Sequence, residues 1–334
     1  MKSLLTERQQ FVEYGGYISS AFYVKSGVAQ GSNLGPLLFI VFFNDVVKYL
    51  RCCKFIFADD LKVGNIIRTH ADCLELQDDV DSLNAWCKKN KLDLNISKCR
   101  IMSFSRKIDS IHFYYNVHGN LLERCDQFRD LGVIMDSTLS FVPHIESITN
   151  SALRTLGFIV RNTNEVFNID CLKLLFYTLV RSKLEYCCVI WSPHHQVYVN
   201  LIENVLRKFC MFAYFKIFGI YPPRHSEQHA LLTIVKECSL KSRRDLAHLV
   251  FLQKIIHGQI SSVPLLSHIK LYVPRIVSRI PLVFYYYVPK TFHHYHCPLL
   301  TCFRLCNCLS TQFDIFNDNL AKKTNKCKIL ELCA

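Results

Sequence analysis

No aspartate occurs before Asp45 in this chain of 334 residues, and the only carboxylates ahead of it are Glu7 and Glu13. Long apolar runs are missing as well. The longest early one, residues 37–43, is far shorter than the roughly 20 residues that cross a bilayer, so no membrane segment is expected. Met1-Lys2-Ser3-Leu4-Leu5 leads directly into Thr6-Glu7-Arg8-Gln9-Gln10 with no apolar core of a secretory signal. No internal repeat or low-complexity tract stands out, nor does a Gly-Lys-Ser/Thr phosphate loop or a Ser/His/Asp arrangement. Solenoids, phosphate-loop nucleotide hydrolases and triad hydrolases are therefore not the expected classes.

Negative charge is in short supply. Forty Lys plus Arg against 27 Asp plus Glu leaves +13 at neutral pH, a surplus that suits a polyanionic partner, nucleic acid above all. The hydrophobic class makes up 50% of the chain and charged residues 20%, which is a globular composition rather than a disordered one. Seventeen cysteines are many, but the number is odd and their spacing irregular. Reduced, mostly buried thiols in a nuclear or cytoplasmic protein are the expectation.

Along the chain, residues 6–20 read as a helix end, a strand, a tight turn at Gly15-Gly16 and another strand. Strands there need partners that so short a lead cannot supply, which points to a fragment. The apolar run at 37–43 is either a helix or a buried strand; periodicity does not decide. Residues 52–57 and 61–67 read as an antiparallel hairpin, with Asp59 and Asp60 in its turn. Leu76, Val80, Leu83 and Cys87 mark an amphipathic helix from about 71 to 90, helped at its start by Asp72. A strand is expected at 98–104 and a hairpin about His118-Gly119-Asn120, closed by Phe128-Arg129-Asp130-Leu131-Gly132-Val133. Beyond residue 140 helical spacing takes over: Ile145, Ile148, Ala152, Leu156 and Ile159; Leu172, Leu175, Phe176 and Leu179; Leu201, Val205 and Phe209. Pro222-Pro223-Arg224 breaks the pattern before a long helix over 240–257 that stops at Gly258. From 261 on, the chain is aromatic- and cysteine-rich without a clear period.

Two segments carry chemistry. Ser26-Gly27-Val28-Ala29-Gln30-Gly31-Ser32-Asn33-Leu34-Gly35-Pro36 is a glycine-punctuated loop whose small residues let backbone approach a bound partner, while Gln30 offers both donor and acceptor. Phe57-Ala58-Asp59-Asp60 sets two adjacent carboxylates on a tight turn, hard oxygen donors of the kind divalent cations need in nucleotidyl transfer. Alone, an Asp-Asp turn is ordinary solvated turn chemistry. In this order and at this separation, the two segments resemble the palm of a reverse transcriptase from a non-LTR (LINE, jockey-like) retrotransposon. The likeness continues through residues 83–99, 128–136, 179–186, 190–193 and 239–245, and is most specific between Ser26 and Phe104.

The resemblance implies an α+β fold: the C-terminal part of a reverse-transcriptase palm (1–108), a primer-side β-hairpin region (109–139), a helical thumb-like region (140–260) and an irregular C-terminal segment (261–334). It implies RNA-directed DNA polymerisation with Mg²⁺, an RNA template, a DNA primer and deoxynucleoside triphosphates. Asp59 and Asp60 would be catalytic metal ligands, Lys98 a general acid for the leaving pyrophosphate, and Ser26, Gly27, Gln30 and Gly31 nucleotide or template contacts. Two departures stand out. Ala29 replaces the family's usual proline, and the family's upstream metal-binding aspartate, with the fingers, has no counterpart here. The expectation is an N-terminally truncated polymerase, inactive alone and awaiting the element's N-terminal region; the alternative is a degenerate, non-catalytic nucleic-acid-binding remnant. Arg154, Arg161, Arg181, Lys183, Arg207, Lys208, Lys241, Arg243 and Arg244 are the candidate phosphate contacts of the thumb-like region. The His293-His294-Tyr295-His296-Cys297 run with Cys302, Cys306 and Cys308 invites zinc, but its spacing matches no common zinc pattern, and none is expected.

Overall fold

Glycine at turns, proline at helix starts and 3.6-residue apolar spacing lay out a mixed α+β chain. The computed structural model describes residues 7–24, 27–29, 31–107, 111–163, 165, 168–223, 226–274 and 282–317. It divides into two units, Met1–Asp126 and Gln127–Ala334, and the boundary falls inside the 109–139 stretch.

The first unit is built from short strand pairs around two helices. β1 (Arg8–Gln10) pairs antiparallel with β4 (Phe22–Val24), enclosing the hairpin of β2 (Glu13–Tyr14) and β3 (Tyr17–Ile18). The helix end expected near the start is a strand instead, and these early strands find their partners in one another. The undecided run 37–43 is helical: α1 spans Gly35–Phe43 with Pro36 in its first turn, where a missing N–H costs nothing. β5 (Cys53–Phe57) and β6 (Asp60–Gly64) form the expected hairpin in a register that sets Phe57 opposite Asp60.

α2 (His70–Lys89) opens on a capping box, in which Thr69 and Asp72 satisfy each other's backbone N–H groups. Its side chains Trp86 and Cys87 meet Phe43 and Val46 in a small core. The strand expected at 98–104 contracts to β7 (Arg100–Ile101), which pairs parallel with β10 (Glu123–Arg124). β8 (Asn116–Val117) and β9 (Asn120–Leu121) turn through His118 and Gly119, both at positive φ (54° and 76°), as a two-residue hairpin loop requires. Gln77 on α2 clamps both the N–H and the C=O of Asn116, each at 3.0 Å.

The second unit opens with the antiparallel hairpin β11 (Gln127–Asp130) and β12 (Val133–Asp136). The Tyr186 hydroxyl donates to the Leu131 carbonyl at 2.8 Å across its turn. α3 (Val142–Asn162) buries Ile145, Ala152, Leu156 and Ile159, the stripe its spacing predicts. α4 (Ile169–Leu175) passes into a π-helical stretch, Phe176–Arg181, and then α5 (Ser182–Glu185). The wider turn brings Val180 inside and leaves Leu179 exposed, the reverse of the α-helical expectation.

The short α6 (Cys188–Trp191) precedes α7 (Gln196–Phe218). The buried residues of α7 pack with α3 and with Phe176, whose ring stacks on Phe209 at 4.1 Å. Gly219, at φ 76°, closes α7 ahead of Pro222 and Pro223; Arg224 lies outside the described residues. α8 (Gln228–Val235) and α9 (Leu240–Ile256) follow, with Gly258 at positive φ past the end of α9 as expected. α10 (Val263–Ser267) leads to the pair β13 (Lys270–Leu271) and β14 (Phe284–Tyr285).

After the short α11 (Phe292–Tyr295), the stretch without a readable period holds α12 (Pro298–Leu309). Its Cys302, Phe303, Cys306 and Leu309 bury against Leu249, Leu252 and Phe284. The Asn307 side-chain Oδ1 accepts the N–H groups of Val283 and Phe284, both at 2.9 Å, and so ties β14 to the helix.

Candidate active site

The carboxylate turn is a two-residue loop. Ala58 and Asp59 form it and Asp60 begins β6, so the two aspartates straddle the boundary between turn and strand; both are exposed. Ala58 stands at φ +52°, a region that costs an L-residue roughly 1 kcal/mol or more but that tight hairpin loops demand at their first position. The carboxylates are thus carried by a backbone held in a strained conformation.

What holds the hairpin is a residue that sequence reasoning passed over. Asp79 on α2 is fully buried (0%). Its Oδ2 accepts the backbone N–H groups of Arg51 at 2.8 Å and Cys52 at 2.6 Å, immediately before β5. Burial, followed by the Asp79 carboxylate, pushes the Cys52 thiol up to about 11, so it is a neutral thiol at physiological pH. Nothing in the sequence marks Asp79, because an acid on an amphipathic helix ordinarily reads as its solvent face.

The glycine segment is described in part. Ser26 and Gln30 lie outside the described residues. Gly27 and Gly31 have φ of 82° and 78°, and the Gly27 carbonyl accepts a bond from Arg8. The Ser32 hydroxyl donates to the Ala29 carbonyl at 2.7 Å and accepts the Gly35 N–H at 3.0 Å. A Cβ on Gly35 would sit 3.0 Å from both that carbonyl oxygen and that hydroxyl, so the close turn into α1 requires glycine there. Lys98 ends a 3₁₀ turn, Ile96–Lys98, and is exposed. Among the described residues no hydrogen bond or ion pair joins it to Asp59 or Asp60.

A pair of divalent cations needs several hard oxygen donors. Asp59 and Asp60 supply two, and among the described residues no group of three or more His, Cys, Asp or Glu side chains gathers into a metal site. The donor set present does not by itself fit two Mg²⁺ ions. The histidines of residues 293–296 gather into no metal site among the described residues either. His194 and His296 stack nearly parallel, 13° apart at 4.5 Å, which turns ring faces rather than nitrogen lone pairs toward each other.

Several of the basic residues expected to grip phosphate have internal work instead. Arg244 is buried (1%), 3.9 Å from Glu203, and Glu203 also accepts the Leu240 and Lys241 N–H groups at the start of α9. Arg243 pairs with Glu185 at 2.9 Å. Arg181 lies over the Tyr177 ring at 3.6 Å and near Glu185 and Glu237. Lys183 donates to the Thr155 hydroxyl at 2.7 Å, and Arg207 reaches the Ser226 carbonyl at 3.2 Å. Arg154, Arg161, Lys208 and Lys241 are exposed; the first two lie seven residues apart on α3 and so share a face.

Residues 2–160 match the reverse transcriptase (RNA-dependent DNA polymerase) family. The chain is 25% identical over 241 residues to the RNA-directed DNA polymerase from mobile element jockey of Drosophila melanogaster, covering 70% of this chain and 24% of that protein. Its jockey counterpart in Drosophila funebris is 25% identical over 224 residues, 62% of this chain and 24% of that one. A probable RNA-directed DNA polymerase from transposon BS of Drosophila melanogaster is 32% identical over 165 residues, 45% and 18% of the two chains. The chain thus spans about a quarter of the length of the curated jockey relatives it matches. These relatives belong to non-LTR, LINE-type elements, as the sequence motifs imply. No solved structure matches. No helix among the described residues is long and apolar enough to cross a membrane.

Proposed function

We propose that this chain is a segment of a non-LTR retrotransposon reverse transcriptase that binds template and primer but does not polymerise alone. The observation that carries this reading is the Asp59-Asp60 hairpin, presented to solvent with no third carboxylate gathered beside it among the described residues. The family is Mg²⁺-dependent, and the ion would be held by Asp59 and Asp60 once a further carboxylate joined them. The natural source is another segment of the element's polymerase, its N-terminal region. Exposed apolar side chains on α1 (Leu37, Ile40, Val41) and on β5 (Phe55, Phe57) support such a covering partner, since apolar surface beyond the scattered single residues of a typical exterior marks interaction sites. Lys98, Ser26, Gly27, Gln30 and Gly31 keep their roles in this reading as general acid and as nucleotide or template contacts. RNA template, DNA primer and deoxynucleoside triphosphates are the substrates, encountered in the nucleus or the cytoplasm.

Primer extension on a primed RNA with Mg²⁺ tests the proposal. The expected result is no product from the chain alone. Product that disappears in Asp59→Ala with Asp60→Ala would overturn the inactivity.

A remnant that only binds nucleic acid is the second reading, favoured by the net charge of +13 and the exposed Arg154, Arg161, Lys208 and Lys241. Binding titrations at rising salt separate them from a chain with no nucleic-acid role. Affinity should fall steeply with salt, by about 0.7 to 0.9 in the log–log slope per phosphate neutralised. A flat dependence, or no binding at low salt, removes the nucleic-acid reading altogether.

A further inference from the structure

The second unit holds a cavity of about 370 Å³ whose lining includes Ser140, Val142, His194, His195, Tyr198 and His293. It is framed by the first residues of α3 and α7 and by α11. One wall is a set of interlocked rings. His194 lies 4.2 Å from His195, 4.5 Å from His296, 5.1 Å from Phe292 and 5.8 Å from His293, centroid to centroid. These edge-on, tilted and stacked contacts restrain His194 before any ligand arrives, which lowers the side-chain freedom lost on binding. His195 and His293 are exposed and Tyr198 half-buried, which leaves aromatic surface available.

The volume lies at the low end for small-molecule sites, roughly 300–1,000 Å³, enough for one planar heterocycle and too small for a duplex. No Asp or Glu lines the cavity, so a phosphate-bearing ligand meets no like charge there. Close by, Arg304 sits 4.0 Å over the Tyr295 ring, adding positive charge behind the histidines. Imidazole and phenol rings stack on bases, and imidazole nitrogens and the Ser140 hydroxyl offer donors and acceptors to a base edge.

We propose that this cavity receives one unstacked nucleobase of a single-stranded nucleic acid held by the second unit. The inference rests on the nucleic-acid reading above and gives it a specific site: phosphates would be held by exposed basic side chains, one base by the ring-lined cavity.

Full-length chain is titrated by fluorescence anisotropy with a labelled oligouridine, the same strand with abasic sites, and the matching DNA strands. Base stacking of this kind is worth roughly 5- to 100-fold in affinity per base, so the base-bearing strand should bind tighter than the abasic one by that order. His195→Ala and Tyr198→Ala should erase the ratio while leaving the salt slope unchanged. An equal ratio for RNA and DNA assigns recognition to the base alone; a larger one for RNA adds the 2′-hydroxyl. Both uphold the pocket. In the wild-type chain, where folding is not in question, a 4-thiouridine strand should photo-crosslink to His194, His195, Tyr198 or His293. Equal affinity for intact and abasic strands, or adducts only elsewhere, overturns the pocket while sparing nucleic-acid binding. No binding of any strand at low salt overturns both.

Discussion

The two units spend their apolar residues differently. In Gln127–Ala334 a large core takes in Phe176, Phe209 and Trp191, each at most 1% exposed, and one continuous cluster runs from Val133 to Leu240. Among the described residues of Met1–Asp126 the clustered core is Phe43, Val46, Trp86 and Cys87, while Leu37, Ile40 and Val41 of α1 are more than half exposed. The candidate chemistry lies in the second kind of architecture, where hydrogen bonds add to the packing of Leu61 on that small core to position it. Asp79 on the backbone ahead of β5, the Thr69–Asp72 capping box and the Gln77 clamp on Asn116 serve where a deep core does not. Segments with few buried contacts sit at the low end of a protein's stability range, so the carboxylate hairpin is expected to open more readily than any element of the second unit.

The largest effect should come from the packed side. Phe209→Ala removes a ring stacked on Phe176 at 4.1 Å and should cost about 3–5 kcal/mol in urea denaturation of the second unit. A loss under 1 kcal/mol would erase the contrast just drawn. On the hydrogen-bonded side, Asp79→Ala strands two backbone N–H groups. It should cost about 1–3 kcal/mol, with faster amide exchange at Arg51 and Cys52; unchanged exchange would mean the hairpin is held by packing after all.

Acid should act on the second unit in two stages. His144 is buried, and burial, followed by the nearby Arg129 charge, holds its imidazole below the ordinary value, while its Nδ1 accepts the Ile134 N–H. The fold therefore binds fewer protons than the unfolded chain, and stability falls as pH drops below about 6.5. Burial raises the Asp136 carboxyl, but bonds from Thr138, Ser140 and Phe141 outweigh it and hold it below its usual range. Its contribution is complete above about 3.9 and is lost as pH falls through its lower folded value. Thermal melts across this range should show both stages, and His144→Phe should shrink the slope between pH 6.5 and 5.

The smallest effect is a gain. Ala58→Gly relieves the positive φ of the turn and should stabilise the hairpin by up to about 1 kcal/mol. Hydrogen exchange at Phe57 and Asp60 reads it, and slower opening is the expected sign.

Much of this architecture is legible in the residues. α3 and α7 announce themselves by 3.6-residue apolar spacing, and the hairpins by turn residues between alternating runs. α12 was not legible, because the exposed Cys308 and the buried Asn307 break the apolar–polar contrast that periodicity needs. The run at 98–104 looked like a strand, yet only Arg100 and Ile101 find ladder partners, and a strand exists only where a neighbour accepts its hydrogen bonds. At the candidate site the Asp-Asp turn and its glycine partner were legible from local chemistry. Asp79 and Arg244 were not, since burial of a charged residue depends on a partner distant in sequence: Arg51 and Cys52 for one, Glu203 for the other.

The π-helical stretch at Phe176–Arg181 bears on how this chain tolerates changes of length. Leu172, Phe176, Val180 and Leu184 are all buried at a uniform spacing of four, which overruns an α-helix's period and which the wide turn absorbs. Removing the exposed Leu179 would bring the same four side chains to spacings of four, three and four, the rhythm of a plain α-helix. A one-codon deletion there should leave the inward face in register, whereas the same loss within α7 would rotate everything beyond it by about 100°.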